Sequence, residues 1–387
     1  MARKVVIFGA TGSVGTSALN VIRRHRDRFN VVGISANANV EKLAAIAGEF
    51  AVENVAIGDE RALAGRERLF SGGTNFFCGE SGLCELASLA EMDSVLMAIV
   101  GTAGIGPTMA AIGSKKTVLL ASKEVLVVAG KFICEHARKN GVPLLPIDSE
   151  HNGIFQCLRG GDAAHVDRLV LTASGGPFRS FSAEDMKNVS VEQALRHPTW
   201  AMGKKITIDS ATMANKGLEV MEARWLFDVP GERIDVLIHP ESIVHAMVRF
   251  CDGSVVAQMC PTNMEFPIAH CLFYPERCPS APQTVDFAAQ KSLNFFNPST
   301  ERFPSLSLAR QCLNSANNAC AVFQGANSVA VEKFLDGKIK FPQIWEIVAE
   351  TLNTYDGEAM VSVESCMESV AKAVKIAKTI AVRMEKF

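Results

Sequence analysis

Short apolar runs alternate with amphipathic stretches along the first part of the chain. The run Val5-Val6-Ile7-Phe8 is wholly apolar, and similar runs recur at 30–35, 54–57, 94–100, 117–121 and 143–147. Runs of this length without polar alternation predict strands buried on both faces, and the helical patterns between them predict a doubly wound parallel sheet. Beyond residue 148 the pattern changes. A helix is predicted over 213–227, with Leu218, Met221 and Trp225 as its apolar stripe. Residues 275–304 are rich in Pro and Ser and read as a linker. Helical patterns then cover 306–320, 328–335, 342–352 and 363–385, with Asn327 as an expected N-cap and Pro342 in a first helical turn. The expected plan is an α/β chain: a Rossmann-like domain over 1–147, a central α+β domain over 148–274, the linker, and a helical bundle over 305–387.

The first strand leads into Gly9-Ala10-Thr11-Gly12-Ser13-Val14-Gly15 and then into a helical pattern over 16–24. Strand, glycine turn and helix in this order let the backbone approach a pyrophosphate at a helix N-terminus. The spacing is G-x-x-G-x-x-G. The second strand ends at Ala36-Asn37-Ala38-Asn39. An NAD site places an acid there for the ribose 2′-hydroxyl. None is present, and Glu41 lies past that position, so the sequence leans to NADP, although no Lys or Arg stands in the turn to pair with a 2′-phosphate. Lys123-Glu124 follow the run at 117–121, at a strand's carboxyl end, where open α/β sheets bind ligands. Lys123 reads either as a surface lysine or as a cation reaching substrate oxygens.

Three carboxylates carry the remaining chemistry. Asp148-Ser149-Glu150 close an apolar run, and as alternating residues of an extended segment Asp148 and Glu150 are expected to point the same way. The pair alone reads equally as a helix N-cap with a first-turn charge. Glu219 shifts the balance, because Asn215 and Glu219 share a helix face. Three hard oxygen ligands suit Mg²⁺ or Mn²⁺. Ser174-Gly175-Gly176 after a strand-like run, together with Ser210, Asn215 and Lys216, resemble a phosphate cradle. His197-Pro198-Thr199-Trp200-Ala201-Met202-Gly203 is expected to be an exposed, mobile lid. A dinucleotide, a divalent metal and a phosphorylated substrate together suggest a metal-assisted reductase.

Composition narrows the class. At 387 residues and 48% apolar the chain supports two or three cored domains, and a net charge of −2 offers no bulk attraction to nucleic acid or anionic membranes. The 11 cysteines form no C-x-x-C pair, which argues against a disulfide framework or a structural zinc site and for reduced thiols in a cytosol. The N-terminus runs straight into a strand and no apolar run reaches membrane-spanning length, so a cytoplasmic location is expected.

These segments closely resemble the 1-deoxy-D-xylulose 5-phosphate reductoisomerase family. The matching stretches are 9–15, 98–101, 120–124, 146–151, 172–178, 197–219, 238–240 through 252–254, 267–270, Ser315-Ala316-Asn317-Asn318 and Gly325-Ala326-Asn327. The resemblance implies NADPH and Mg²⁺ or Mn²⁺ as cofactors and a homodimer. It implies Asp148, Glu150 and Glu219 as metal ligands. Ser174, His197, Ser210 and Asn215 would hold the substrate phosphate, and Lys216 would lie near the substrate hydroxyls. Ser149 and Lys123 would face the carbonyl end, and Trp200 would cover the carbon chain. Thr11, Gly12, Ser13 and Val14 would cradle the cofactor phosphates, Ala36 to Asn39 would meet its adenosine end, and Ser122, Glu124 and Gly203 would complete the cofactor site. Ala38 stands where a lysine often lies, Ser122 replaces an Asn, and Asn152-Gly153 replace Ser-Ala. The implied reaction rearranges the substrate to a branched aldehyde phosphate and reduces it to 2-C-methyl-D-erythritol 4-phosphate. Two rival classes are a semialdehyde-type dehydrogenase, which needs a nucleophilic Cys such as Cys157, and a non-enzymatic NADP sensor.

Overall fold

The computed structural model describes residues 2–315 and 317–385; Ala316, within one of the matched stretches, lies outside the described residues. The chain divides into two compact units. One comprises Met1–Val125, Lys131–Asn152 and Met264–Pro282, and the other Leu126–Gly130, Gly153–Asn263 and Gln283–Phe387.

The first unit is built on a seven-stranded sheet. Its strands are β1 Arg3–Phe8, β2 Phe29–Ala36, β3 Asn54–Ile57, β4 Asn75–Cys78, β5 Ser94–Met97, β6 Thr117–Leu120 and β7 Leu144–Pro146. They lie in the order β4-β3-β2-β1-β5-β6-β7, and every pairing is parallel. The predicted runs at 94–100, 117–121 and 143–147 are trimmed to their buried centres, because the flanking residues form the connections. Strand β4 was not legible, since Asn75-Phe76-Phe77-Cys78 is a four-residue edge strand whose pairing with β3 gives no sequence period. The order reverses between β1 and β5, which makes this the topological switch point, where the glycine turn after β1 also lies. Helix Ser13–Arg24 begins at Gly12, whose lack of a side chain leaves the helix end without a side-chain cap. Gly9 has φ +77°, and a Cβ there would meet Ala98 O at 2.4 Å; one on Gly15 would meet Gly9 O at 2.4 Å. Both glycines are therefore required by the tight turn itself, before any ligand is considered.

The second unit pairs a four-stranded mixed sheet with helices. Strands β8 Val166–Ala173, β9 Ile234–Ile238, β10 Val244–Phe250 and β11 Val255–Met259 lie in the order β11-β10-β8-β9. Helices Lys204–Ala211 and Ala214–Leu226 follow each other across Met213, which takes a left-handed conformation at φ 62°. Leu218 and Met221 of the predicted stripe are buried in the core. The C-terminal helices are Pro304–Asn314, Ala319–Leu335, Gln343–Thr354 and Val363–Met384. Helix Ala319–Leu335 is buried on nearly all faces and forms the centre of the bundle. Phe341 sits edge-on to Phe178 at 5.1 Å and to Phe334 at 5.6 Å, joining this bundle to the loop after β8.

Two expectations fail here. The predicted helix over 306–320 falls on two helices, Pro304–Asn314 and Ala319–Leu335. Asn327 caps nothing. It lies within helix Ala319–Leu335, 1% exposed, and its side chain is committed to a buried partner. A polar residue in an apolar run mimics a cap when its partner is far away in sequence.

Gly9→Ala should cost about 1–3 kcal/mol through overpacking and left-handed strain. Urea unfolding measures this, and an unchanged midpoint would show that the loop can relax away from Ala98.

Candidate active site

Asp148 stands directly before helix Ser149–Cys157. Its Oδ1 accepts from the backbone N–H of Glu150 at 3.1 Å and of His151 at 3.4 Å. The expected extended segment is therefore absent, because Asp is a strong N-cap and the chain turns helical at once. The cap leaves Oδ2 to accept from Lys123 Nζ at 2.8 Å, and both side chains are nearly buried. Lys123 is thus no surface lysine. Ser149 Oγ donates to Glu150 Oε2 at 3.0 Å.

Glu219 is fully buried on helix Ala214–Leu226. Its Oε1 accepts from Asn215 Nδ2 at 2.6 Å, as the four-residue spacing predicted, and its Oε2 accepts from Lys216 Nζ. Asp148, Glu150 and Glu219 each offer a carboxylate oxygen, and these oxygens all lie within 4.8 Å of one another. The donor set holds oxygen alone, with no thiolate or imidazole, so it fits Mg²⁺ or Mn²⁺ rather than zinc.

The residues expected to form a phosphate cradle assemble around His197. Its Nε2 lies 3.0 Å from both Ser174 Oγ and Ser210 Oγ. Its Nδ1 accepts the backbone N–H groups of Thr199 at 3.2 Å and Trp200 at 2.9 Å. Two donors on Nδ1 assign the proton of the neutral ring to Nε2. The ring therefore braces its own loop with one nitrogen and presents an N–H beside two hydroxyls with the other. Gly175 and Gly176 have φ +81° and +66°, and a Cβ on Gly176 would meet Ser210 O at 3.0 Å, so the glycine turn lies against the Ser210 helix. Trp200 is half-buried rather than exposed, lying edge-on to His245 at 6.1 Å. Gly203 is the N-cap of helix Lys204–Ala211.

Sequence reasoning missed Asp209, which is 2% exposed. It accepts from Lys205 Nζ at 2.6 Å and from Asn327 Nδ2 at 2.7 Å, and so ties the helix carrying Ser210 to the helical bundle. The i,i+4 Lys–Asp spacing was a visible signal; the Asn327 contact was not.

On the cofactor side, Thr11 to Val14 occupy the turn and first helical residues after β1. Ala36 ends β2, Asn37 and Ala38 form the following turn, and Asn39 caps helix Val40–Phe50 by accepting from Lys42 N. Ser122 Oγ donates to Ile99 O at 2.5 Å, and Glu124 is buried in the first turn of helix Lys123–Asn140. Cys157 is 2% exposed, and burial pushes its thiol up to about 11, which excludes it as a nucleophile.

Comparison with known proteins agrees with this geometry. A family model described as 1-deoxy-D-xylulose 5-phosphate reductoisomerase matches residues 5–130. The C-terminal domain models of the same family match 144–227 and 259–378. A 1-deoxy-D-xylulose 5-phosphate reductoisomerase of Chlorobium chlorochromatii is 46% identical over 378 residues, covering 97% of this chain and 99% of that protein.

This chain belongs to the 1-deoxy-D-xylulose 5-phosphate reductoisomerase family.

Solved structures of the family superpose closely. The Zymomonas mobilis reductoisomerase in complex with NADPH aligns with a TM-score of 0.92 at 40% identity, covering 100% of both chains. A reductoisomerase in complex with NADPH, fosmidomycin and magnesium aligns with a TM-score of 0.92 at 39% identity, covering 99% of both.

Burial lowers the pKa of His197 below its ordinary value. The unfolded chain therefore takes up this proton first, near pH 6.5, and stability present above that pH is lost as pH falls toward the lowered folded value. Protonating Nδ1 also ejects the Thr199 and Trp200 N–H groups. Acidification below about pH 6 should thus loosen the 197–200 turn. Trp200 fluorescence, read in a variant lacking Trp225 and Trp345, should change with pH, and His197→Asn should abolish the change. An identical profile in that variant would refute the assignment.

Proposed function

We infer that this chain is an NADPH- and divalent-metal-dependent oxidoreductase that converts 1-deoxy-D-xylulose 5-phosphate to 2-C-methyl-D-erythritol 4-phosphate. The convergence of Asp148, Glu150 and Glu219 within 4.8 Å carries this reading, because neither a thiol-dependent dehydrogenase nor an NADP sensor has a use for it. Asp148, Glu150 and Glu219 would hold the metal, which when bound supplies Lewis acidity to the substrate's carbonyl and hydroxyl oxygens. The Thr11–Val14 turn and the end of β2 would seat NADPH, whose chemistry there would be hydride donation.

The chain's own residues bind, orient and exclude water. His197 Nε2–H, Ser174 and Ser210 meet at one point and would take the phosphate, with Asn215 nearby on the next helix. That anchorage fixes one end of a short substrate, so its reacting carbons stay at one place through both the rearrangement and the reduction. Lys216 and Lys123 pair with Glu219 and Asp148, and their ammonium groups would also face substrate oxygens. The indole of Trp200 would cover the carbon chain when the 197–203 loop closes, shielding the aldehyde from water.

The reading extends to a homodimer in the cytoplasm. Val255 and Met259 stand exposed on β11, an edge strand of the smaller sheet, as suits self-association. The eleven free cysteines suit a reducing compartment, and no helix among the described residues is long and apolar enough to cross a membrane.

Glu219→Gln should lower turnover by more than about 100-fold at ordinary Mg²⁺ while NADPH binding persists. The assay is NADPH oxidation dependent on 1-deoxy-D-xylulose 5-phosphate, with and without Mg²⁺. Near-normal, Mg²⁺-dependent turnover of the variant would remove Glu219 from the ligand set. Proteolysis within 199–205 should fall when metal and a phosphonate-bearing chelating analogue are both bound. Equal cleavage with and without them would make the loop static.

A further inference from the structure

The turn after β2 carries no cation, and the next helix places one against the glycine turn after β1. Lys42 lies in the first turn of helix Val40–Phe50, three residues past the Asn39 cap. Its ammonium group is 2.8 Å from Thr11 O and 3.2 Å from Thr16 Oγ1. It therefore bridges the glycine turn after β1 and the start of the helix after β2. On a Rossmann sheet these two places flank the cofactor's pyrophosphate and its adenosine ribose.

The charges around Lys42 are arranged for an anion. Both partners of Nζ are neutral oxygens, and among the described residues no carboxylate pairs with it. Glu41, the nearest acid in sequence, is drawn 3.5 Å from Arg66 instead. Asn39 Oδ1 is occupied by Lys42 N, so the turn offers the ribose 2′-hydroxyl no carboxylate acceptor of the kind that selects NAD. Asp59, whose backbone N–H bonds Asn37 O, uses its side chain to cap its own helix at Arg61 N. The cation meets neutral oxygens alone, on a four-carbon stem exposed to solvent.

We propose that Lys42 is the specificity-determining cation for the 2′-phosphate of NADPH, reaching it from its resting place on Thr11 O. This rests on the NADPH-dependent reading above and adds the residue that selects NADPH over NADH. Binding the phosphate exchanges two hydrogen bonds to neutral oxygens for a charge-assisted one, which is the stronger kind. NADH offers no such exchange, so Lys42 stays parked on the glycine turn when NADH binds.

Cofactor binding alone tests this, by fluorescence titration of NADPH and NADH and by calorimetry with adenosine 2′,5′-bisphosphate and 5′-AMP, which differ only in the 2′-phosphate. Lys42→Ala and Lys42→Gln should weaken NADPH and the bisphosphate by about tenfold or more, the loss of one charge-assisted hydrogen bond. NADH and 5′-AMP should change by less than about twofold, a difference too small for a lost hydrogen bond. Lys42→Arg should restore NADPH binding, and added salt should shrink the NADPH advantage of the wild type but not of Lys42→Gln. Parallel weakening of both cofactors would overturn the proposal, because Lys42 would then only brace the glycine turn. Unchanged NADPH affinity in Lys42→Gln would overturn it equally. A wild type that bound neither cofactor would overturn the cofactor reading itself, and this proposal with it.

Discussion

A carboxylate with no solvent exposure must be surrounded by positive charge or by donors, and Glu219 imposes that demand on the site. Lys216 and Asn215 answer part of it from the same helix, one turn away. Asp148 makes a similar demand, met by Lys123 and by the N-terminus of the helix it caps. Each acid is thus oriented by an ammonium group that pairs with it. With Glu150 added, the three carboxylates form an oxygen-only donor set of the kind a divalent cation takes. The same constraint explains why amide substitution at Glu219 removes a ligand and also weakens its ion pair with Lys216.

Anion sites in this protein follow a different rule, built from backbone and neutral donors. The turn after β1 brings glycines so close to Ala98 O and Gly9 O that no side chain fits, leaving main-chain groups at the surface of the site. The turn after β8 repeats the device with Gly175 and Gly176 and adds hydroxyls and an imidazole N–H. A neutral His197 is well suited to this place. Its Nδ1 holds the loop and its Nε2 faces the cradle, so the loop's conformation and the cradle's donor are one unit. The loop's hydrogen bonds and the two hydroxyls thus meet on a single ring.

The C-terminal helices help to set where a residue of the expected phosphate cradle points. Asn327, buried in the central helix of the bundle, bonds Asp209, and Ser210 is the next residue. Adjacent helical residues differ by about 100° in direction. Fixing Asp209 toward the bundle therefore fixes Ser210 toward His197. Lys205, on the other oxygen of Asp209, ties down the helix start just after the 197–203 loop.

Much of this was legible in the chain. The buried strands of the larger sheet, the glycine turn and the Asn215–Glu219 helix face are all local patterns, set by residue type and period. So are the donors of the phosphate cradle, which stand within two short stretches. What the local pattern misjudged has a common cause. Asp148 was expected on an extended segment because the apolar run before it reads as strand; the cap geometry turned it helical without removing it from the site. Strand β4 depends on β3 for its existence, Asn327 on Asp209 for its meaning, and Lys42 on the fold of two separate turns for its reach. Sequence by itself determined which chemical groups this protein owns and which elements carry them, because propensity, capping and glycine geometry act over a few residues. The tertiary structure alone decided which charges meet, because electrostatic partners are chosen by distance in space, and no period along the chain encodes that distance.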